Sequence, residues 1–285
     1  MSSSPITHIS DTARWVAVYR AWESARADAL FRDSYADRLA GDRGREIAAL
    51  MPRQARSGWP LIARTKLIDD VVERAVTNGC DCVVNLAAGL DARPYRLVLP
   101  RTLRWVEVDL PGILEEKERL LRDATPRCEL IRIRADLAEA IARSEALARA
   151  TAGTRQTLVI TEGLLVYLDE EAVRKLATDL LAHPGVRSWV IDLASPELVE
   201  FMQKSMGKFL ASAPMKFGPQ NGVAFFEAIG WRAGEVDSIF HAARRLQRLP
   251  WYLKPFSLLP RPDPRRLGRA RWSAVVELTQ AQSAR

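Results

Sequence analysis

The stretch Cys82-Val83-Val84-Asn85-Leu86-Ala87-Ala88-Gly89-Leu90-Asp91-Ala92-Arg93 is an apolar run that breaks directly into a turn of small residues. About twenty residues later Trp105-Val106-Glu107-Val108 ends on Asp109. A short continuous apolar run bounded by turn residues reads as a buried strand of a parallel sheet. In such a sheet the carboxyl ends of neighbouring strands form a crevice. A small-residue turn there lets a ligand lie against bare backbone, and an acid from the next strand can grip a ribose diol. The two strand ends together imply a ligand that contains a nucleoside.

Outward from this pair the pattern repeats. Before it, Leu61, Ile68, Val71, Val72, Ala75 and Val76 form one face of a helix that stops at Asn78-Gly79. After it, the second strand spans about 103–109 and Pro111 suits the first turn of the next helix. A third strand, Glu129 to Arg134, ends at Ala135-Asp136-Leu137, and a fourth, Thr157 to Thr161, ends at Glu162-Gly163. Asp169 caps a helix stopped by Pro184-Gly185, a fifth strand runs from Ser188 to Leu193, and a last one from Trp272 to Leu278. Strands and helices alternating at this spacing predict an α/β, doubly wound, mostly parallel sheet with right-handed crossovers.

The flanks read differently. Trp15, Val18, Tyr19 and Trp22 recur at helical spacing in the first fifty residues, as core or as a fold over the crevice, and Met51 to Pro60 is a connector. Val223 to Ile229 reads as a helix ending at Gly230-Trp231. The expected organisation is an N-terminal helical cap or lid over 1–60 and a ligand-binding core over 61–285. The core carries a lid insertion at about 196–222, with Lys204, Lys208 and Lys216.

Composition narrows the classes. With 285 residues and 48% hydrophobic content the chain supports one large core. No stretch approaches eighteen uncharged apolar residues and Met1 to Asp11 has no signal-peptide character, so the expected compartment is cytoplasmic. Cys80, Cys82 and Cys128 are an odd number without histidine nearby, which predicts buried thiols and no metal site. The net charge is +7, yet His241 to Trp272 alone holds nine basic side chains against Asp263, leaving the rest near neutral. That segment, with Trp251, Tyr252, Phe256, Leu258 and Leu259, reads as a solvated basic loop, a peripheral membrane or hydrophobic-substrate contact, or, less favoured, a nucleic-acid contact. The residues carry no signal of an oligomeric state.

Gly89, Asp109, Asp136 and Glu162 all come off carboxyl ends of successive strands, and the fold gathers those ends on one rim. A dinucleotide enzyme would need G-x-G-x-x-G, whereas this turn has Gly89 alone and offers no pyrophosphate cradle. A nucleoside without phosphates fits, and S-adenosyl-L-methionine is such a molecule.

The string from Val83 to Arg93 with Tyr95-Arg96-Leu97 resembles the leucine carboxyl methyltransferase family, and more closely its bacterial branch of inferred S-adenosylmethionine-dependent methyltransferases. Asp11 with Trp15-Val16-Ala17, Arg64-Thr65 with Asp69-Asp70, Glu107-Val108-Asp109-Leu110-Pro111, Asp136-Leu137 and Thr161-Glu162-Gly163-Leu164-Leu165-Val166-Tyr167-Leu168 match as well. The resemblance implies a class I methyltransferase, Rossmann-like and seven-stranded. It implies a cofactor site of Arg64, Ala87, Ala88, Gly89, Asp109, Leu110, Asp136, Leu137 and Glu162. In that set Arg64 meets the methionine carboxylate, Glu162 the methionine amine, Asp109 the ribose hydroxyls and Asp136 the adenine amine beside Leu137. Ala87 stands where members usually carry glycine, and Ala92 where they carry threonine. The expectation is that Ala87 keeps a negative φ and that cofactor binding survives.

Methyl transfer from a sulfonium is an in-line displacement, so the protein's task is positioning. A carboxylate acceptor is already ionised at neutral pH, while a phenol, with a pKa near 10, would want a base. The only histidines are His8, His183 and His241, which favours a carboxylate or simple proximity. Tyr167 is a candidate to border the methyl group, and Arg20 or a lid lysine to meet an anionic acceptor. The expected function is O-methylation of a carboxylate or hydroxyl of a small metabolite. The alternatives are a protein C-terminal carboxyl methyltransferase, or an RNA-binding or RNA-methylating protein that uses the basic segment.

Overall fold

The computed structural model describes residues 10–52, 55–207, 209 and 213–280; His8 and Lys208 lie outside them. Two helices, α1 (Ser10–Ser24) and α2 (Ala36–Leu50), precede α3 (Trp59–Thr77). The sheet elements follow as β1 (Cys82–Leu86), α4 (Arg93–Arg96), β2 (Arg104–Asp109), α5 (Pro111–Leu120), β3 (Glu129–Arg134), α6 (Ala140–Ala150) and β4 (Thr157–Thr161). Then come α7 (Glu170–Leu181), β5 (Val186–Ala194), α8 (Pro196–Met206), α9 (Ala224–Glu227), β6 (Trp231–Ser238), α10 (Ile239–Arg245), a 3-10 segment (Trp251–Leu258) and β7 (Ser273–Gln280).

The seven strands lie in the order β3-β2-β1-β4-β5-β7-β6. Strands β1 to β5 pair in parallel, and β7 enters antiparallel between β5 and β6. The chain winds outward on one side of β1 and then, through β4, on the other, so the crevice falls at the carboxyl ends of β1 and β4. All five residues of β1 and all five of β4 are buried, because helices cover both faces. Side chains alternate between the layers. Cys82, Val84 and Leu86 join Leu176, Trp189 and Phe226, while Val83 joins Ile68, Val72 and Trp105 on the other face.

The N-terminal helices form a third cluster over the rim. Trp15, Val18 and Tyr19 of α1 pack with Leu39 and Ile47 of α2, with Leu90 beyond β1, and with Val199, Met206 and Met215 around α8. The connector after α2 is set by Gly58, whose φ is +59° and where a Cβ would fall 2.2 Å from the Tyr19 ring. Asp169 accepts from the Ala172 amide at 2.8 Å, capping α7 as its sequence predicts. Cys82 and Cys128 are buried, and burial pushes both thiols up to about 12.

One strand escapes the sequence reading. β6 is half exposed, contains Gly234 and Glu235, and shifts register between Ala233 and Val236, so it shows no apolar alternation. It is an edge, and edges carry charge and irregularity that deter further pairing. The expected helix of 223–229 contracts to the single turn of α9 just before it. No helix of the described residues is long and apolar enough to cross a membrane.

Candidate active site

A cavity of about 1100 Å³ crosses the carboxyl ends of β1 to β5. Arg64, Asp109, Asp136, Glu162 and Asp192 give it a charged side, and Trp15, Val16, Leu198, Phe201, Met202 and Met215 an apolar one. Every residue expected to hold a cofactor lines it: Arg64, Ala87, Ala88, Gly89, Asp109, Leu110, Asp136, Leu137 and Glu162.

The turn after β1 is tied to β2. The amide of Ala87 donates to the Val108 carbonyl at 2.8 Å, and that of Gly89 to Asp109 Oδ2 at 2.7 Å. Asp109 Oδ1 accepts from the Leu110 amide at 2.8 Å, so one carboxylate braces both the turn and the entrance to α5. Burial pushes the Asp109 carboxyl above the ordinary aspartate range, and the two amides only partly offset it. The expected negative φ at Ala87 is not observed: Ala87 lies at φ +54°. The two amides that follow it are turned back toward β2, Ala88 onto the Val108 carbonyl at 3.4 Å and Gly89 onto Asp109, and the chain reverses there in the left-handed conformation despite the Cβ of Ala87. Gly89 shares it at φ +48°, and a Cβ there would meet Ala13 of α1 at 3.2 Å, so α1 sits down on the turn.

The methionine-side expectations, Arg64 and Glu162, fall within one network of charges. Arg64 Nε donates to Glu162 Oε1 at 3.0 Å and Nη1 to Asp192 Oδ2 at 2.8 Å. Glu162 Oε2 accepts from Arg93 Nη1 at 2.8 Å. Arg93, 1% exposed, also holds Asp69 at 2.7 Å and Asp91 at 2.9 Å. Asp91 accepts from Asn85 at 2.8 Å, and Asp192 Oδ1 from the Gly163 amide at 2.7 Å. Burial works against the charged form of Glu162, but Arg93 and Arg64 outweigh it and hold the carboxyl below its ordinary range. Burial works against Asp91 as well, and Arg93 foremost holds it well below that range. Arg64 borders the cavity, and its Nη2 makes no hydrogen bond among the described residues.

Asp136 is exposed at the end of β3 and caps the backbone at Ala138, 2.9 Å away, with Leu137 half-buried beside it. Tyr167 borders the cavity, as does Thr12 of α1. Burial raises the pKa of Tyr167, so it remains a phenol at neutral pH. Arg20 is buried and engaged: Nε donates to Asp33 at 3.0 Å and Nη2 to the Leu90 carbonyl at 2.6 Å, clamping α1 to the turn. No histidine of the described residues lines the cavity. His183 meets Thr151 at 3.3 Å and His241 meets Ser238 at 3.1 Å.

Asp192, Asp91, Arg93 and Asp69 were not singled out by sequence reasoning as site residues. Asp192 carried a usable signal, since it is one more acid near the carboxyl end of a parallel strand, like Asp109 and Glu162. Arg93 gave no such signal, because its role depends on acids brought to it from other elements.

The leucine carboxyl methyltransferase family matches residues 13–180. An inferred S-adenosyl-L-methionine-dependent methyltransferase of Streptomyces coelicolor is 34% identical over 261 residues, spanning 87% of this chain and 89% of the relative. Another, of Frankia alni, is 39% identical over 238 residues, spanning 76% and 84%. Among solved structures, a DUF574-family protein from Streptomyces avermitilis aligns with a TM-score of 0.61 at 14% identity, over 95% of this chain and 97% of that one, a likeness of fold.

Proposed function

The chain belongs to the leucine carboxyl methyltransferase family, and from that premise we propose that it is an S-adenosylmethionine-dependent O-methyltransferase acting on a carboxylate of a small hydrophobic metabolite. Bound, S-adenosylmethionine supplies an electrophilic methyl group on a sulfonium.

The donor set suits that cofactor. Arg64, with Nη2 uncommitted, offers a guanidinium to the methionine carboxylate. Glu162 and Asp192 supply negative charge for the amine, Asp109 accepts from the ribose diol, and Asp136 with Leu137 takes the adenine. Arg93 positions Glu162 and, through Asp91, the turn.

The observation that carries the acceptor class is the continuity of the cavity. Pockets for one drug-sized ligand run to roughly 300–1,000 Å³. This one reaches about 1100 Å³ and joins the ionic cluster to an apolar wall from α1 and α8, which supports a second, hydrophobic ligand beside the cofactor. With no histidine of the described residues lining it and Tyr167 protonated, an acceptor that is already ionised suits the site better than a phenol. In this reading α1 and α8 form the cap that excludes water, and Arg20 on the Leu90 carbonyl is one latch of it.

The test is incubation with methyl-labelled S-adenosylmethionine and a metabolite extract, with mass spectrometry of labelled products before and after mild alkali. Base-labile methyl esters are expected. Alkali-stable methyl ethers alone, or labelled protein alone, would overturn the carboxylate-metabolite assignment.

A further inference from the structure

Of the nine basic side chains between β6 and β7, Arg271 stacks on the Phe201 ring at 4.2 Å and the other eight divide into two populations. Arg245 is bound to Asp237, Arg248 to Glu23 and Asp28, Arg265 to Glu227, and Arg244 to the Ser257 hydroxyl. Lys254, Arg261, Arg266 and Arg269 are exposed and have no ion pair among the described residues. On the same segment Trp251 is 79% exposed, Phe256 58%, Leu258 74% and Leu259 61%, with Tyr252 at 46%. Apolar side chains this large and this exposed in one short stretch mark a contact surface.

The exposure is built in. The 3-10 segment Trp251–Leu258 is fixed from beneath: Leu253 packs on the β-sheet core, and buried Ser257 accepts from Arg244 at 2.7 Å and donates to the Lys254 carbonyl at 2.6 Å. Holding the inner residues this way turns the aromatic and leucine side chains outward in a fixed arrangement, so little ordering remains to be done on contact.

We infer that this face docks on an anionic lipid surface, with Trp251, Phe256, Leu258 and Leu259 entering the acyl boundary and Lys254 and Arg261 reaching the headgroup phosphates. Tryptophan and tyrosine favour the headgroup level, and long cationic side chains extend to it while their stems lie along apolar surface. Charge selects the lipid over the other occupants. A second copy would set the same unpaired cations against each other, and a nucleic acid would satisfy the cations and stack on the rings but leave Leu258 and Leu259 without a role. The inference stands apart from the methyl-transfer reading. It would place the cap near the surface, since Arg248 grips buried Glu23 of α1 at 2.8 and 2.9 Å.

The experiment uses the full chain with vesicles of phosphatidylcholine alone and of phosphatidylcholine with phosphatidylglycerol, read by co-sedimentation and by quenching of tryptophan emission with brominated lipid. Binding to the anionic vesicles at least roughly tenfold tighter than to neutral ones is expected, weakened by salt. The double substitutions Trp251→Ser with Leu258→Ser, and Lys254→Glu with Arg261→Glu, should each lose about tenfold or more while keeping circular dichroism and cofactor affinity. Quenching in the unsubstituted protein needs no variant and so covers a variant that fails to fold. Absence of binding to anionic vesicles would overturn the inference. So would variants that bind like the parent, concentration-dependent dimers abolished by the serine pair, or salt-sensitive RNA binding in a protein that ignores vesicles.

Discussion

Arg64 on α3 and Glu162 beyond β4 stand 98 residues apart in the chain and 3.0 Å apart in space, Nε to Oε1. The same guanidinium reaches Asp192 at 2.8 Å, lines the cavity and leaves Nη2 without a hydrogen bond among the described residues. Hydrogen bonds to charged groups contribute about 1.5–3 kcal/mol. Arg64→Ala should therefore weaken S-adenosylmethionine binding by roughly ten- to a hundredfold in calorimetric titration. Arg64→Lys should recover only part of it, because an ammonium cannot hold two carboxylates and a ligand in one plane. Equal affinity of Arg64→Ala and the parent would remove Arg64 from the cofactor site.

Ala87 pays a conformational cost that its sequence does not reveal. A left-handed φ costs a residue with a Cβ about 1–2 kcal/mol, while glycine adopts it freely but loses more entropy on folding. Ala87→Gly should net a gain of about 0.5–1 kcal/mol and raise Tm by about 2 °C. Cofactor affinity should stay equal or improve, since the Ala87 amide already bonds Val108. A lower Tm for Ala87→Gly would show that the turn does not carry this strain.

What the residues disclosed and what they hid follow from range and environment. β1 and β4 were legible because strands buried on both faces must be apolar throughout, and the acids after them stand out against those runs. β6 was illegible because an exposed edge tolerates Arg232, Gly234 and Glu235 and so loses its period. Asp109 and Glu162 could be found locally as strand-end acids. The partnership of Arg93 with Glu162, across 69 positions, and of Arg64 with Asp192, across 128, exists only after the sheet has formed. The φ of Ala87 was hidden for another reason: a run of small residues is compatible with either sign, and what the next amides bond on β2 is known only once the sheet has formed.

Acid should expose the Arg93–Glu162 contact. The folded-state pKa of Glu162 is depressed, so its contribution is present above its unfolded value, about 4.3, and is lost as pH falls through the lower folded value. Glu162 is partly buried and Arg93 keeps Asp69 and Asp91, so Glu162→Gln should lose about 1.5 kcal/mol at pH 7 in urea denaturation, less than a buried charge left unpaired would cost. The difference between parent and variant should shrink as the pH is lowered below about 4. A difference that stays constant down to pH 3 would show that Glu162 stabilises through shape rather than charge.

Asp109 should behave with the opposite sign. Burial raises its folded pKa, so its protonated form favours the fold in acid, and that stability is lost as pH rises through the folded value. In the role proposed for Asp109 ligand binding runs the other way, because the ionised carboxylate is the stronger acceptor for the ribose hydroxyls. S-adenosylmethionine affinity should then decline on acidification from a higher pH than an ordinary aspartate, near 3.9, would dictate. In Asp109→Asn the amide lacks that charge, so affinity at pH 7 should fall by about tenfold or more and this inflection should vanish. The substitution also leaves the Gly89 amide a weaker acceptor, which should appear as faster hydrogen exchange at Gly89. Calorimetric titration across pH on both proteins separates the two roles. An unchanged inflection in Asp109→Asn would assign it to another group and leave Asp109 as a brace of the turn alone.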